Sequence, residues 1–171
     1  IRFAFCFPDV YEVGMSHLGT RILYHTINER QDTYCERVFA PWTDMEELMR
    51  KNNIPLYTLE TKSALGDFDM LGFTLQYEMS YTNILNMLDM SGITIRASER
   101  GEDEPIIMAG GPCAYNPEPL YDIVDFFEIG EGEEMMNDVL EVYARHKANG
   151  KVNKKELLRE ISKIGGIYVP S

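Results

Sequence analysis

Asp9, Tyr11, Glu12, Gly14, Ser16, His17 and Gly19 crowd into one stretch, FPDVYEVGMSHLGTRIL, that leaves an apolar run and enters a helix-like pattern. Carboxylate, phenol, hydroxyl and imidazole groups at this density can exchange protons, coordinate a metal or hydrogen-bond a polar ligand. The interspersed glycines let the backbone approach such a ligand closely. An ordinary strand-to-helix turn requires none of this. Two further segments share the character. In AGGPCAYNP, Gly110 and Gly111 stand directly at a strand end, where they permit either a stiff turn between Pro112 and Pro117 or contact with a flat or phosphorylated ligand. In QYEMSYTN, Gln76, Tyr77, Glu78, Ser80, Tyr81 and Asn83 gather at a helix start, and Ser80 also suits an N-cap there.

The segment GEGEE has the glycines of a phosphate loop and the opposite charge. Glu131, Glu133 and Glu134 repel phosphate, while acids at a helix N-terminus complement its dipole. They either cap the helix, or Glu131 or Glu133 meets a ligand hydroxyl or a neighbouring domain. Other chemistries find no support. His17, His25 and His146 lie apart, and Cys6, Cys35 and Cys113 have no metal-ligand spacing, so they read as small buried hydrophobes of a reducing compartment. No Ser-His-Asp or Cys-His arrangement is legible, and no G-x-G-x-x-G follows the first strand. Phosphotransfer would need a lysine after the last strand, and EIGEGEE supplies none.

The elements that must position these residues alternate between strand and helix patterns. The strands are Arg2–Phe7, Cys35–Ala40, Asp69–Leu75, PIIMA and DFFEIG, with PLYTLE as a further extended piece. Helices run from about Ser16 to Arg30, from TDME with Thr43 and Glu46 at capping-box spacing, and through Tyr81, Ile84, Leu85 and Leu88. Two more carry Met136, Val139, Leu140 and Tyr143, then Lys154–Lys163. This pattern predicts an α/β fold: a doubly wound, mostly parallel five-stranded sheet of flavodoxin-like order 2-1-3-4-5 in a three-layer sandwich. Ligands of such sheets bind at the switch point between strands 1 and 3, where loops 8–19, 76–80 and 110–117 would converge.

The 171 residues, 44% hydrophobic, suffice for one domain spanning 1–171. A net charge of −12 disfavours nucleic acid. No apolar run approaches the about 18 residues of a membrane span, and the chain reads as soluble and cytoplasmic. It opens in a strand without Met and is expected to be a piece of a longer protein; oligomeric state is not legible.

Taken in order, MSHLGTRILYHTIN, FDMLGFTLQYEMSYTNILNMLDMSGI, IIMAGGPCAYNPEP, FFEIGEGEE and GGIYVP resemble the amino-terminal, cobalamin-binding-type domain of radical SAM proteins. More narrowly they resemble an uncharacterised bacterial family whose members open with text like FPDVYEVGMSHLG. The resemblance spans nearly the whole chain. It implies a flavodoxin-like accessory domain ahead of a radical SAM barrel, the partner in the same chain, with residues from about 150 onward leading into the linker. In that barrel a C-x-x-x-C-x-x-C motif would hold an iron–sulfur cluster that reductively cleaves S-adenosylmethionine. The cysteines here do not form that motif, so radical chemistry is not expected of this chain alone.

The corrinoid signature of such domains is D-x-H-x-x-G, then S-x-L, then Gly-Gly, with the histidine as lower cobalt ligand. Asp9, Tyr11 and Gly14 match the first spacing with tyrosine in place of histidine. Anchored instead on Gly19, the frame puts Ser16 at the ligand position and His17 one residue away. Thr74 and Gln76 replace serine and leucine, and Gly110 and Gly111 match the third element. The resemblance therefore leaves three roles open: cobalamin held without histidine, a structural or substrate-guiding module, or a site for another small ligand such as a nucleotide or flavin.

Overall fold

The computed structural model describes residues 1–170; Ser171, which closes the expected linker segment, lies outside the described residues. Strand β1 (Arg2–Phe7) is buried from Phe3 onward. Its side chains alternate, Phe3 and Phe5 entering one core and Ala4 and Cys6 the other. A strand buried on both faces needs helices on both sides. Strands β2 (Tyr34–Phe39), β3 (Met70–Thr74), β4 (Ile106–Gly110) and β5 (Phe126–Glu128) join it in parallel, in the order β2-β1-β3-β4-β5. The class, the order and the switch point agree with the sequence pattern.

The helices are α1 (Tyr11–Gly14), α2 (Leu18–Asn28), α3 (Thr43–Lys51), α4 (Tyr81–Met90), α5 (Gly132–Ala148) and α6 (Lys154–Ile161). Met49 of α3 and Ile84, Met87 and Leu88 of α4 cover one face of the sheet. Ile27 of α2, Met136, Val139 and Leu140 of α5, and Leu157 and Ile161 of α6 cover the other. Each such side chain contributes about 1.5–3 kcal/mol by leaving water.

The sheet has a sixth strand, β6 (Ile167–Tyr168), antiparallel to β5, with Phe127 opposite Tyr168 and Glu128 opposite Ile167. GGIYVP is therefore part of the fold before it is a linker. Gly166, at φ 87°, makes the reversal, and Ile167 and Tyr168 then pack on opposite cores. Asp125 fixes the entry to β5: its Oδ2 accepts from Arg100 Nη1 and from the Ile107 amide, both at 2.7 Å.

Local expectations shift in detail. The helix expected from Ser16 begins at Leu18, because residues 11–14 form a separate turn of helix first. Thr43 stands inside the first turn of α3 behind Trp42, and Glu46 reaches sideways to Arg50 and Asn86 rather than back to a cap. Ser80 does hold the N-cap position of α4, but its side chain makes no capping bond; its Oγ donates to the Tyr77 carbonyl at 2.8 Å. PLYTLE contributes only a single bridge, Tyr57 to Ala64. Cys6 and Cys35 are buried and Cys113 half-buried, all as free thiols. No helix among the described residues is long and apolar enough to cross a membrane.

Candidate functional site

The three loops meet beyond the carboxyl ends of β1, β3 and β4, and one chain of hydrogen bonds joins two of them. His17 stands at the N-cap of α2, where its Nδ1 accepts from the Thr20 amide at 3.2 Å in place of the usual serine or aspartate oxygen. With Nδ1 an acceptor, Nε2 carries the proton and donates to Gln76 Oε1 at 3.1 Å. Gln76 Nε2 donates in turn to Thr74 Oγ1 at 2.5 Å. The third loop is tied to the second through the backbone, Leu75 N to Gly110 O at 2.7 Å and Cys113 N to Leu75 O at 3.0 Å.

Beside this network a cleft of about 150 Å³ opens between the sheet edge and helices α2 and α5. Gly19, Gly110, Gly111, Gly130 and Gly132 form much of its wall, and Phe5, Leu23, Met108 and Met136 give it an apolar side. The two glycines of the pair have different reasons to be glycine. Gly111 turns the chain at φ 106°, and a Cβ there would stand 3.1 Å from the Leu75 carbonyl oxygen. Gly110 has no such constraint, since an added Cβ would meet Glu128 Cβ at an ordinary 3.5 Å. What its missing side chain leaves is room in the cleft.

Of the residues singled out by sequence, His17, Gly19, Thr74, Gln76, Gly110 and Gly111 line this cleft, and the others do not. Tyr11 sits on α1 with its ring edge-on to Phe39, 5.5 Å away, and borders a separate hollow of about 440 Å³ beside Trp42 and Met45. Asp9 Oδ1 accepts from the Val10 amide at 2.7 Å, which shapes the turn. Gly14 is a packing glycine, its would-be Cβ 2.4 Å from the Phe39 ring. Ser16 donates to the Val13 carbonyl at 2.8 Å. Glu131 is exposed at the start of α5 and makes no side-chain cap.

The residue that sequence reasoning missed is Glu128. It ends β5 opposite Gly110, lines the cleft and is only 4% exposed. Among the described residues Oε1 has no hydrogen-bond partner, and Oε2 lies 3.5 Å from where a Cβ on Gly132 would stand and 3.7 Å from one on Gly110. Burial alone pushes its carboxyl up from the usual 4.5 to about 8, with no cation close enough to offset it. The signal was an acid directly after Phe126 and Phe127 in a strand that had to be buried. Among the described residues no group of three or more His, Cys, Asp or Glu is placed to hold a metal ion.

Fold and cleft together define a doubly wound α/β domain with a glycine-walled cleft at its switch point. Residues 19–170 match the family described as radical SAM proteins, N-terminal, and the chain belongs to that family. It is also 25% identical over 161 residues to an uncharacterized protein of Methanocaldococcus jannaschii, a match that takes in 88% of this chain and 30% of that protein. The chain thus spans less than a third of the length of the curated relative it matches.

A corrinoid ligated by histidine does not fit the residues present. Both ring nitrogens of His17 are engaged, Ser16 bonds its own loop, and Tyr11 borders a different hollow.

The burial of Glu128 links stability to pH. Its folded-state pKa is raised, so the folded chain keeps the proton up to about pH 8 while the unfolded chain releases it near 4.5. Stability therefore falls as pH rises through that window, by up to about 1.4 kcal/mol per pH unit, and levels off above it. Urea unfolding should show Glu128→Gln gaining on the parent sequence steadily from pH 5 to 8. Parallel pH profiles would mean that the carboxyl is not desolvated.

Proposed function

We propose that this chain is the accessory N-terminal domain of a radical SAM enzyme, with its carboxyl-edge loops facing the catalytic domain and its cleft holding a small ligand at that junction. The iron–sulfur cluster and S-adenosylmethionine belong, in this reading, to the catalytic domain. The observation that carries it is the placement of exposed apolar side chains. Tyr11, Val13 and Leu18 follow β1, Trp42 and Met45 follow β2, Tyr77 and Met79 follow β3, and Tyr115 follows β4. All stand at the same edge of the sheet, and large exposed apolar patches mark interaction surfaces. Membership of a radical SAM N-terminal family, and the length of the relative beyond the matched part, support the rest of the same chain as the partner.

Met79 and Tyr115 are 81% and 74% exposed, so Met79→Glu with Tyr115→Glu should change the stability of this domain by no more than about 0.5 kcal/mol per site. In the full-length protein the double variant should speed protease cleavage between the domains several-fold. Unchanged cleavage would remove this edge as the docking face.

The glycine wall favours a second reading, a corrinoid held without cobalt ligation by the protein, with Gly110 and Gly111 letting it approach the backbone. Full-length protein mixed with hydroxocobalamin should then keep a visible corrinoid band after desalting, and Gly110→Val should lose it. No retained band ends this reading and leaves the first intact.

A further inference from the structure

Two glutamates are fully or almost fully buried, and they are treated differently. Glu36 Oε2 accepts from Thr58 and Thr61, and its Oε1 lies 3.9 Å from Arg2. Glu128 has none of this, and it alone faces an open cleft. A buried carboxyl without a partner is costly, so its presence calls for a group that the described residues do not supply. We propose that Glu128 anchors an ammonium group carried on a short apolar stem, seated in the cleft against Gly110 and Gly132. This rests on the cleft being a ligand site.

Charge selects the ligand's sign. Among the described residues no lysine or arginine lines the cleft, so a carboxylate there waits for a cation from outside. Anions are disfavoured by Glu131, Glu133 and Glu134, the exposed acids that open α5, and gain no ion pair from Glu128 in either of its protonation states. Shape selects the stem. Phe5, Leu23, Met108 and Met136 offer it apolar contact, and about 150 Å³ is below the roughly 300–1,000 Å³ of a site that encloses a whole drug-sized ligand. The space suits one alkyl or ring-sized group, with the remainder of the molecule outside.

The binding step balances without a further reactant. The neutral carboxyl of Glu128 releases its proton to solvent, and the resulting carboxylate pairs with the incoming ammonium. Around Glu128, β1, β3 and β4 contribute uncharged residues, and its neighbour Ile167 on β6 is uncharged. His17, ahead of α2, is the other ionisable residue in the cleft wall, and α5 adds only its exposed acids. Linkage to one proton is therefore the expected signature. The same chemistry is offered by a free alkylamine and by the lysine side chain of a polypeptide.

The test is calorimetric titration of the full-length protein with butylammonium at pH 6, 7 and 8, in two buffers of different ionisation heat. Affinity should rise about tenfold between pH 6 and 7 with release of close to one proton, and flatten above pH 8. Butanol and butyrate, of similar size but neutral and anionic, should bind at least tenfold more weakly. Glu128→Leu should lose butylammonium binding while unfolding at an equal or higher temperature, which separates lost binding from lost folding. Tighter binding of Nα-acetyl-lysine methylamide than of butylammonium assigns the site to a polypeptide lysine, and weaker binding assigns it to a free amine. Absence of binding, affinity independent of pH, equal binding of butanol, or binding retained by Glu128→Leu would each overturn the proposal. Any of these with inter-domain cleavage still responding to Met79→Glu and Tyr115→Glu removes this inference alone.

Discussion

A parallel sheet buried on both faces leaves only its strand ends free to meet anything else. In this chain α3 and α4 close one face and α2, α5 and α6 close the other, so every connection after β1 to β5 is delivered to one edge. The strand order reverses between β1 and β3, and neighbouring connections part on either side of the sheet there. The resulting gap is where the His17–Gln76–Thr74 hydrogen bonds and the glycine wall are found. The position of the cleft follows from topology; its chemistry comes from the residues that happen to end the strands.

Among those residues Glu128 is out of keeping with a stable fold. Its neighbours Phe126 and Phe127 are wholly buried, and a leucine at its place would remove a desolvation cost rather than a contact. Tolerating such a group is common where binding or chemistry needs it, because sites are assembled at the expense of local stability. The α5 N-terminus, which lies over Glu128 through Gly132, does not relieve the cost with a hydrogen bond. Cleft, unpartnered carboxyl and apolar edge loops thus belong to one surface, the one proposed above as the docking face.

Much of the fold was legible because its signals are periodic. Arg2–Phe7 reads as a strand buried on both faces, and Tyr81–Met90 repeats apolar residues at helical spacing; both are where the pattern puts them. The sixth strand was not legible, since two residues, Ile167 and Tyr168, are too few to show a period and depend on the positive φ of Gly166. The cap at Thr43 failed because a hydroxyl at the right spacing does not determine which residue begins the helix, whereas Ser80 does stand at the N-cap of α4 but, in helical conformation, turns its hydroxyl back to Tyr77. At the site, Gly110, Gly111, Gln76 and His17 were visible as unusual types in unusual loops. Tyr11 was misleading, because the short α1 helix carries it to the side of Phe39. Glu128 was hidden inside an apolar strand, where only the alternation of faces, fixed by the register with Gly110, shows that its carboxyl enters the cleft.

The most direct test of the account is to titrate the Glu128 carboxyl itself, by carbon-13 NMR of protein labelled at the glutamate side chains, with Glu128→Gln identifying the resonance. The account predicts a midpoint near pH 8 in the ligand-free protein. A midpoint between about 4 and 5, the range of an exposed glutamate, would contradict it.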